Sequence, residues 1–376
     1  MKGRGSKVLA VLAGAMTLVL VLGVLAGANV INLPGHWRQT LGFEKATPNP
    51  PCRLGLYRKD PKSPPAPAGH WRQEPEMPRT QVESTAVAIG PVIYTAGGSP
   101  PGNLHTVLAF DTRTKRWSEP THLPVGLDHV EAATYKGKLY LPGGYLNGEE
   151  PTTDFWEYDP KTDHWTQLAS MHQPPRAAGA VTVIGHKLYV AGGAPQTFNV
   201  SSFPVYNTLE IYDFDTDKWS FGAPMQIGRH HISGAALDGK FYVVGGRGSK
   251  DRSLDIFESY DPKTDEWETL PKLPLGVASP RVVTAGGRIV VVGGEDQFDW
   301  EDGGGWVTNS AWAYDPKTAK WERLPNMKFE RRGGGAGVAD GRIYAIGGSY
   351  CPGLKPNGPI GTHTVESLPI SALERG

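Results

Sequence analysis

The chain is poor in cysteine, in methionine and in net charge. Its 376 residues include two cysteines and six methionines, and 38 basic side chains balance 38 acidic ones. A neutral balance offers no electrostatic footprint for nucleic acid, so a nucleic-acid partner is excluded. No Gly-x-Ser-x-Gly, His-Glu-x-x-His or P-loop is present, which removes common hydrolase, zinc-protease and nucleotide-binding signatures. The two cysteines, Cys52 and Cys351, are too few for a disulfide scaffold. In an oxidising compartment they form one candidate disulfide, and otherwise they are unrelated thiols.

Glycine and proline are abundant. With 48 and 33 residues they make up about a fifth of the chain, well above average usage. Hydrophobic residues at 39% and eleven tryptophans exclude disorder. The combination reads as a turn-rich, all-β protein with a large core.

The N-terminus is of another kind. Lys2, Arg4 and Lys7 precede Val8 to Ala28, a run in which Thr17 is the only polar side chain. As a helix the run is roughly 32 Å long, enough for a hydrocarbon core of about 30 Å. Basic residues before the span and none soon after it orient the body outside the cell. Residues 1–30 are therefore a signal anchor, or a signal peptide cleaved at Ala26-Gly27-Ala28. Residues 31–68, with Pro48, Pro50, Pro51, Pro61, Pro64, Pro65 and Pro67, form a proline-rich linker. The folded domain is expected over 69–376.

That domain is repetitive. Glycine pairs follow short apolar runs at Gly97-Gly98, Gly143-Gly144, Gly192-Gly193, Gly245-Gly246, Gly293-Gly294 and Gly347-Gly348. Trp71, Trp117, Trp165, Trp219, Trp267 and Trp321 precede them by 26 residues, once by 27. Alternation such as Lys-Leu-Tyr-Val predicts strands, and Asp-Pro-Lys-Thr predicts turns. The tryptophans are read as structural, filling space between sheets.

This pattern resembles the kelch repeat of extracytoplasmic, bacterial-type proteins, over residues 70–369. The resemblance implies a β-propeller with one four-stranded blade per repeat. After Gly347-Gly348, Val365-Glu366-Ser367-Leu368 matches the third strand Phe257-Glu258-Ser259-Tyr260, and no Trp follows. Trp71 is the unpaired outer strand at the other end. The fold class expected is all-β, a six-bladed kelch β-propeller closed by an N-terminal strand and preceded by a transmembrane or signal helix.

Loops before the first strand and after the second share one face, where functional residues concentrate. Counting back from each glycine pair places Glu83, Asp128, His129, Arg176, Arg229, His231, Arg331 and Arg332 there. The resemblance to kelch ligase adaptors, which bind acidic peptides through arginines in this register, implies that Arg229, Arg331 and Arg332 face an anion, with His129 and His231 beside them. The alternative is that such arginines bond carbonyls at the rim. Glu83 and Asp128 either pair with arginines or act as acid/base groups next to histidines. His230 and His231, adjacent in a strand, are expected on opposite faces. The long loop 295–309 is read as solvated acids on a flexible segment, with Trp300 and Trp306 available to stack on a sugar or anchor a partner.

Enzymes with kelch domains give partial comparisons. Galactose-oxidase-like enzymes have seven blades and a copper site not matched here. Nitrile-specifier proteins use Glu-x3-Asp-x3-His, but after Glu295 and Asp299 position 303 is glycine. Similarity to the exported, six-bladed sialic-acid mutarotases implies Glu83, Arg229 and Arg332 in a central pocket. No metal or other cofactor is assigned. The expected function is recognition of a protein, peptide or glycan on the loop-rich face by a monomeric, extracytoplasmic propeller, membrane-anchored or secreted. The alternatives are a sugar-directed enzyme of the mutarotase kind and a scaffold.

Overall fold

A computed structural model describes residues 66–374, apart from 68, 100, 149, 196–203, 250–252, 300–303 and 351–360. The chain divides into two units, residues 1–56 and 57–376, and everything described lies in the second. The apolar run 8–28, most of the linker, Cys52, Cys351 and Trp300 fall outside the described residues. Among the described residues no helix is long and apolar enough to cross a membrane.

The fold is an all-β propeller. The described residues form six four-stranded antiparallel sheets. The first runs outward from the axis through Thr85–Ile89, Val92–Ala96, Thr106–Asp111 and Arg116–His122. The second to fifth begin with the innermost strands Ala133–Tyr135, Ala180–Ile184, Ser233–Leu237 and Arg281–Ala285. The sixth contains Gly335–Ala339, Arg342–Ile346 and Val365–Pro369, completed by Arg72–Glu74 from the other end of the sequence. Its register pairs Arg72 with Ser367 and Glu74 with Val365. Each innermost strand touches its neighbours on both sides, so the ring is closed.

Burial departs from the alternation expected of the strands. Second strands such as Lys187–Ala191 and Lys240–Val244 are buried at every position after the first lysine. The cause is packing on both faces, as in sheets sandwiched between layers. One hydrophobic cluster lies at each of the six junctions, and each draws on two neighbouring sheets.

Two sets of hydrogen bonds repeat around the ring. The indole N–H of each repeat tryptophan donates to the preceding sheet, for example Trp71 to the Pro325 carbonyl at 2.9 Å and Trp219 to the Ala169 carbonyl at 2.7 Å. Trp117, Trp165, Trp267 and Trp321 do the same toward Pro75, Thr121, Ala223 and Pro271. Closer to the axis, the second glycine of every pair donates its amide to the next sheet. Gly193 bonds the Arg229 carbonyl at 2.9 Å, and Gly348 closes the circle on Gln81 at 2.9 Å.

The glycine pairs have no substitute. Gly245 and Gly246 lie at φ of 60° and 91°, and a Cβ on Gly245 would strike the Val277 carbonyl of the next sheet. Left-handed backbone costs a non-glycine residue on the order of 1–3 kcal/mol before any clash. Gly245→Ala is expected to destabilise the protein by about 3 kcal/mol or more, read by denaturant unfolding. Gly239→Ala, at a turn where an added Cβ meets nothing, should cost only the conformational part.

Candidate functional site

The residue fourteen before each glycine pair sits at the axis in left-handed conformation. The φ values are 53° for Glu83, 49° for His129, 57° for Ala178, 51° for His231, 47° for Ser279 and 57° for Gly333. This turn aims the side chain at the axis and the backbone at the neighbouring sheet. His129 donates to the Glu83 carbonyl at 2.8 Å, Ala178 to His129 at 2.9 Å, Ser279 to His231 at 2.8 Å and Gly333 to Ser279 at 3.0 Å. Glu83, His129 and His231 thus come together from the first, second and fourth sheets, with Ser279 of the fifth beside them. They surround a cavity of about 10 Å³, room for about one water.

Charged groups hold this cluster from the side. Arg332 contacts Oε1 of Glu83 with one nitrogen and Oε2 of Glu295 with Nε at 3.1 Å, and Arg247 takes Oε1 of Glu295. Asp128 accepts from His129 Nδ1 at 3.0 Å. Burial opposes ionisation of Glu83, but His129, Arg332, Arg281 and Arg247 outweigh it and hold its carboxyl below the usual range. For His129, burial is likewise outweighed by Asp128 and Glu83, and its pKa rises. Burial, reinforced by His230 and the arginines, drives His231 far below the usual histidine value, so it stays neutral.

One step further along the axis, Arg281 of the fifth sheet reaches Glu131 of the second, three sheets away in either direction around the ring. The same guanidinium donates to the Ser84 carbonyl at 2.7 Å and to the Gly334 carbonyl. Beyond it a channel of about 290 Å³ runs between the innermost strands, lined by small residues such as Ala86, Ala133 and Ala235. Burial pushes the Glu131 carboxyl up to about 7, against the pull of Arg281.

Several sequence expectations are corrected. Arg176, Arg229 and Arg331 do not present free forks to a ligand. Each is buried and bonds the carbonyl of the first glycine in its own sheet, at 3.2, 2.9 and 2.9 Å, and each pairs with a third-strand glutamate, Glu210, Glu258 or Glu366. Arg332 is also spent, on Glu83 and Glu295. Glu83 does pair with an arginine, whereas Asp128 serves a histidine. His230 and His231 do not point apart. Their Nδ1 atoms are 2.6 Å from each other, because the positive φ of His231 takes it out of the strand alternation. The loop after Gly294 is a hairpin, Glu295–Asp299 paired with Gly304–Val307, and Glu295 is fully buried rather than solvated. Trp306 is half-buried and packs on the cluster between the fourth and fifth sheets. Sequence reasoning missed Arg247, Glu131 and Arg281. The last two stand two positions past the counted ring, a register that the repeat itself could have supplied.

Six repeats of this geometry define a kelch-type β-propeller. The family profile described as the Attractin/LZTR1 beta-propeller matches residues 71–351, and the chain belongs to that family. It is similar to Kelch-like protein 35 of Mus musculus, 28% identical over 249 residues that make up 66% of this chain and 40% of that protein. It is also similar to Kelch-like protein terF of Aspergillus terreus, 26% over 289 residues, covering 72% and 61% of the two chains. Kelch-like protein 15 of Danio rerio is 30% identical over 258 residues, covering 63% and 41%. The chain thus spans about two fifths to three fifths of the length of these relatives. The solved structure of YjhT matches with a TM-score of 0.67 at 19% identity, over 78% of this chain and 96% of that one, a likeness of fold.

Two outcomes test the electrostatics. Arg229→Ala leaves Glu258 buried without its cation, and should cost about 3–5 kcal/mol in denaturant unfolding. Glu131 has a folded pKa above its ordinary 4.5, so folding favours its protonated form. The stability this supplies is full below pH 4.5 and lost as pH rises through about 7. Glu131→Gln should remove that decline, up to about 3 kcal/mol, when unfolding is followed across this range. An unchanged pH slope would show that Glu131 ionises normally.

Proposed function

We propose that this chain is an extracytoplasmic recognition module. It is a six-bladed, monomeric propeller, anchored or released by the N-terminal run, that binds a protein or peptide across its loop-rich face. The observation that carries this reading is the closed axis at that face. Glu83, Arg332 and Glu295 are buried and bound to one another, and the adjoining cavity has about 10 Å³. Small-molecule sites usually need about 300–1,000 Å³, so among the described residues the cavity beside Glu83 is too small for a sugar. Among the described residues the exposed large hydrophobics are Phe221 and Ile227, and Ile227 lies in the loop before the innermost strand of the fourth sheet, on this face.

A second reading has one specific support. Glu131, with a pKa near neutrality, stands at the inner end of the channel of about 290 Å³, as a general acid/base for a small sugar would. In this reading the acid of a mutarotase-like enzyme is Glu131 and not Glu83.

The two are separated by experiment. Ile227→Glu should weaken capture of the partner, identified by cross-linking on the outer cell surface, at least about tenfold, as loss of an interface anchor does. Lys136→Glu, at a turn on the opposite face, should leave it unchanged. A sugar that raises the melting temperature of wild-type protein but not of Glu131→Gln would instead establish the channel as the site.

A further inference from the structure

The cluster of Glu83, His129 and His231 is closed to a partner at the loop face, yet it has the donor set of a metal site. One atom from each lies within 4.8 Å of the others, and all three residues are buried. His129 Nε2 is 3.9 Å from Glu83 Oε2, and the two imidazoles are 5.0 Å apart. Zinc bound at about 2.1 Å in tetrahedral geometry keeps its ligands about 3.4 Å from one another. Small side-chain rotations close the difference.

The surroundings orient these donors. The Asp128 carboxylate can only accept, so His129 Nδ1 carries the proton and its Nε2 lone pair is left for an ion. This is the carboxylate–histidine arrangement that supports metal ligands. His231 Nδ1 is engaged by His230, which likewise leaves Nε2. Arg332 occupies Oε1 of Glu83 and leaves Oε2 on the His129 side. A separate observation points the same way. Ser279 Oγ is buried, lines the cavity and has no hydrogen-bond partner, although buried hydroxyls are normally satisfied. A water in that cavity, held by Ser279, would complete four ligands. Arg247, Arg281 and Arg332 oppose a cation, and the carboxylates of Glu83, Asp128 and Glu295 balance them one for one.

We propose that Glu83, His129 and His231 bind one divalent ion of the zinc type on the propeller axis, with a water on Ser279 as fourth ligand. The ion ties the first, second and fourth sheets together. Two imidazoles and a carboxylate favour zinc, cobalt or nickel over calcium or magnesium.

The full chain, purified in detergent and stripped with a chelator, is titrated with cobalt chloride. Expected is the visible absorption of tetrahedral cobalt, saturating at one ion per chain and displaced by zinc. His129→Gln and His231→Gln should each weaken binding by at least about 100-fold, and Asp128→Asn by about 10–100-fold. His186→Ala, in the exposed group His186, Asp213 and Asp215, should change nothing. The wild-type titration requires no variant to fold, and absence of the band there overturns the proposal. So does a band that survives in both histidine variants, with folding checked by circular dichroism, or one that disappears in His186→Ala.

Discussion

The hydrogen bond from the second glycine of each pair to the neighbouring sheet sets the spacing of the whole ring. Its acceptor is the carbonyl of the residue sixteen before the next glycine pair, and in three sheets that residue is an arginine. Arg229 shows the double duty. Its carbonyl receives Gly193 of the third sheet, while its side chain bonds the Gly245 carbonyl and Glu258 of its own sheet. One residue thus fixes both the distance between two sheets and the position of the third strand within one. Gln81 fills the same role without charge, bonding the Gly97 carbonyl at 2.9 Å while accepting from Gly348. A side chain on the glycines would separate the sheets, and the tryptophan contacts farther out would lose their reach.

The axis inherits its geometry from this spacing. Two positions past the arginine the chain turns into left-handed conformation, and six such turns face one another. Side chains there are crowded and shielded from water, so ionised groups are tolerated only as partners. Buried ion pairs seldom add net stability over apolar packing, but removing one member is costly. The network of Glu83, Arg332, Glu295 and Arg247, and the bar formed by Arg281 and Glu131, therefore restrict which residues fit one another across the ring more than they strengthen it.

The repeat was legible from residues because its signals are local. Glycine pairs, tryptophans and Asp-Pro-Lys turns recur at nearly constant spacing, and Val365–Leu368 has the pattern of a third strand. The axial cluster was legible only in part. Counting placed Glu83, His129 and His231 at equivalent positions, which was enough to bring them to one ring. Counting at that register does not reach Glu131 and Arg281, which stand two positions further on and meet across 150 residues of sequence. For the arginines before the first strands the sequence leaves an anion and the rim carbonyls as two readings, and it is the carbonyls that take them. Nothing near them in sequence announces Glu210, Glu258 or Glu366, which become neighbours only when the third strand is laid down. His230 and His231 defeated the alternation rule because a single positive φ reverses it.

The closing strand has a consequence for how the chain folds. Arg72 and Ser367 are paired across 295 residues, and every contact of the sixth sheet with Trp71 waits for Val365–Pro369 to be synthesised. Until then the strand Arg72–Glu74 has no partner, and the first and fifth sheets keep bare faces. Long-range pairing of this kind is slow because loop entropy must be lost before any contact rewards it. The five inner repeats can stack in order as they emerge, whereas the ring becomes a ring in one late step. The nascent protein is in this sense an open arc with two adhesive ends, and its fate depends on whether those ends meet each other before either meets a second chain.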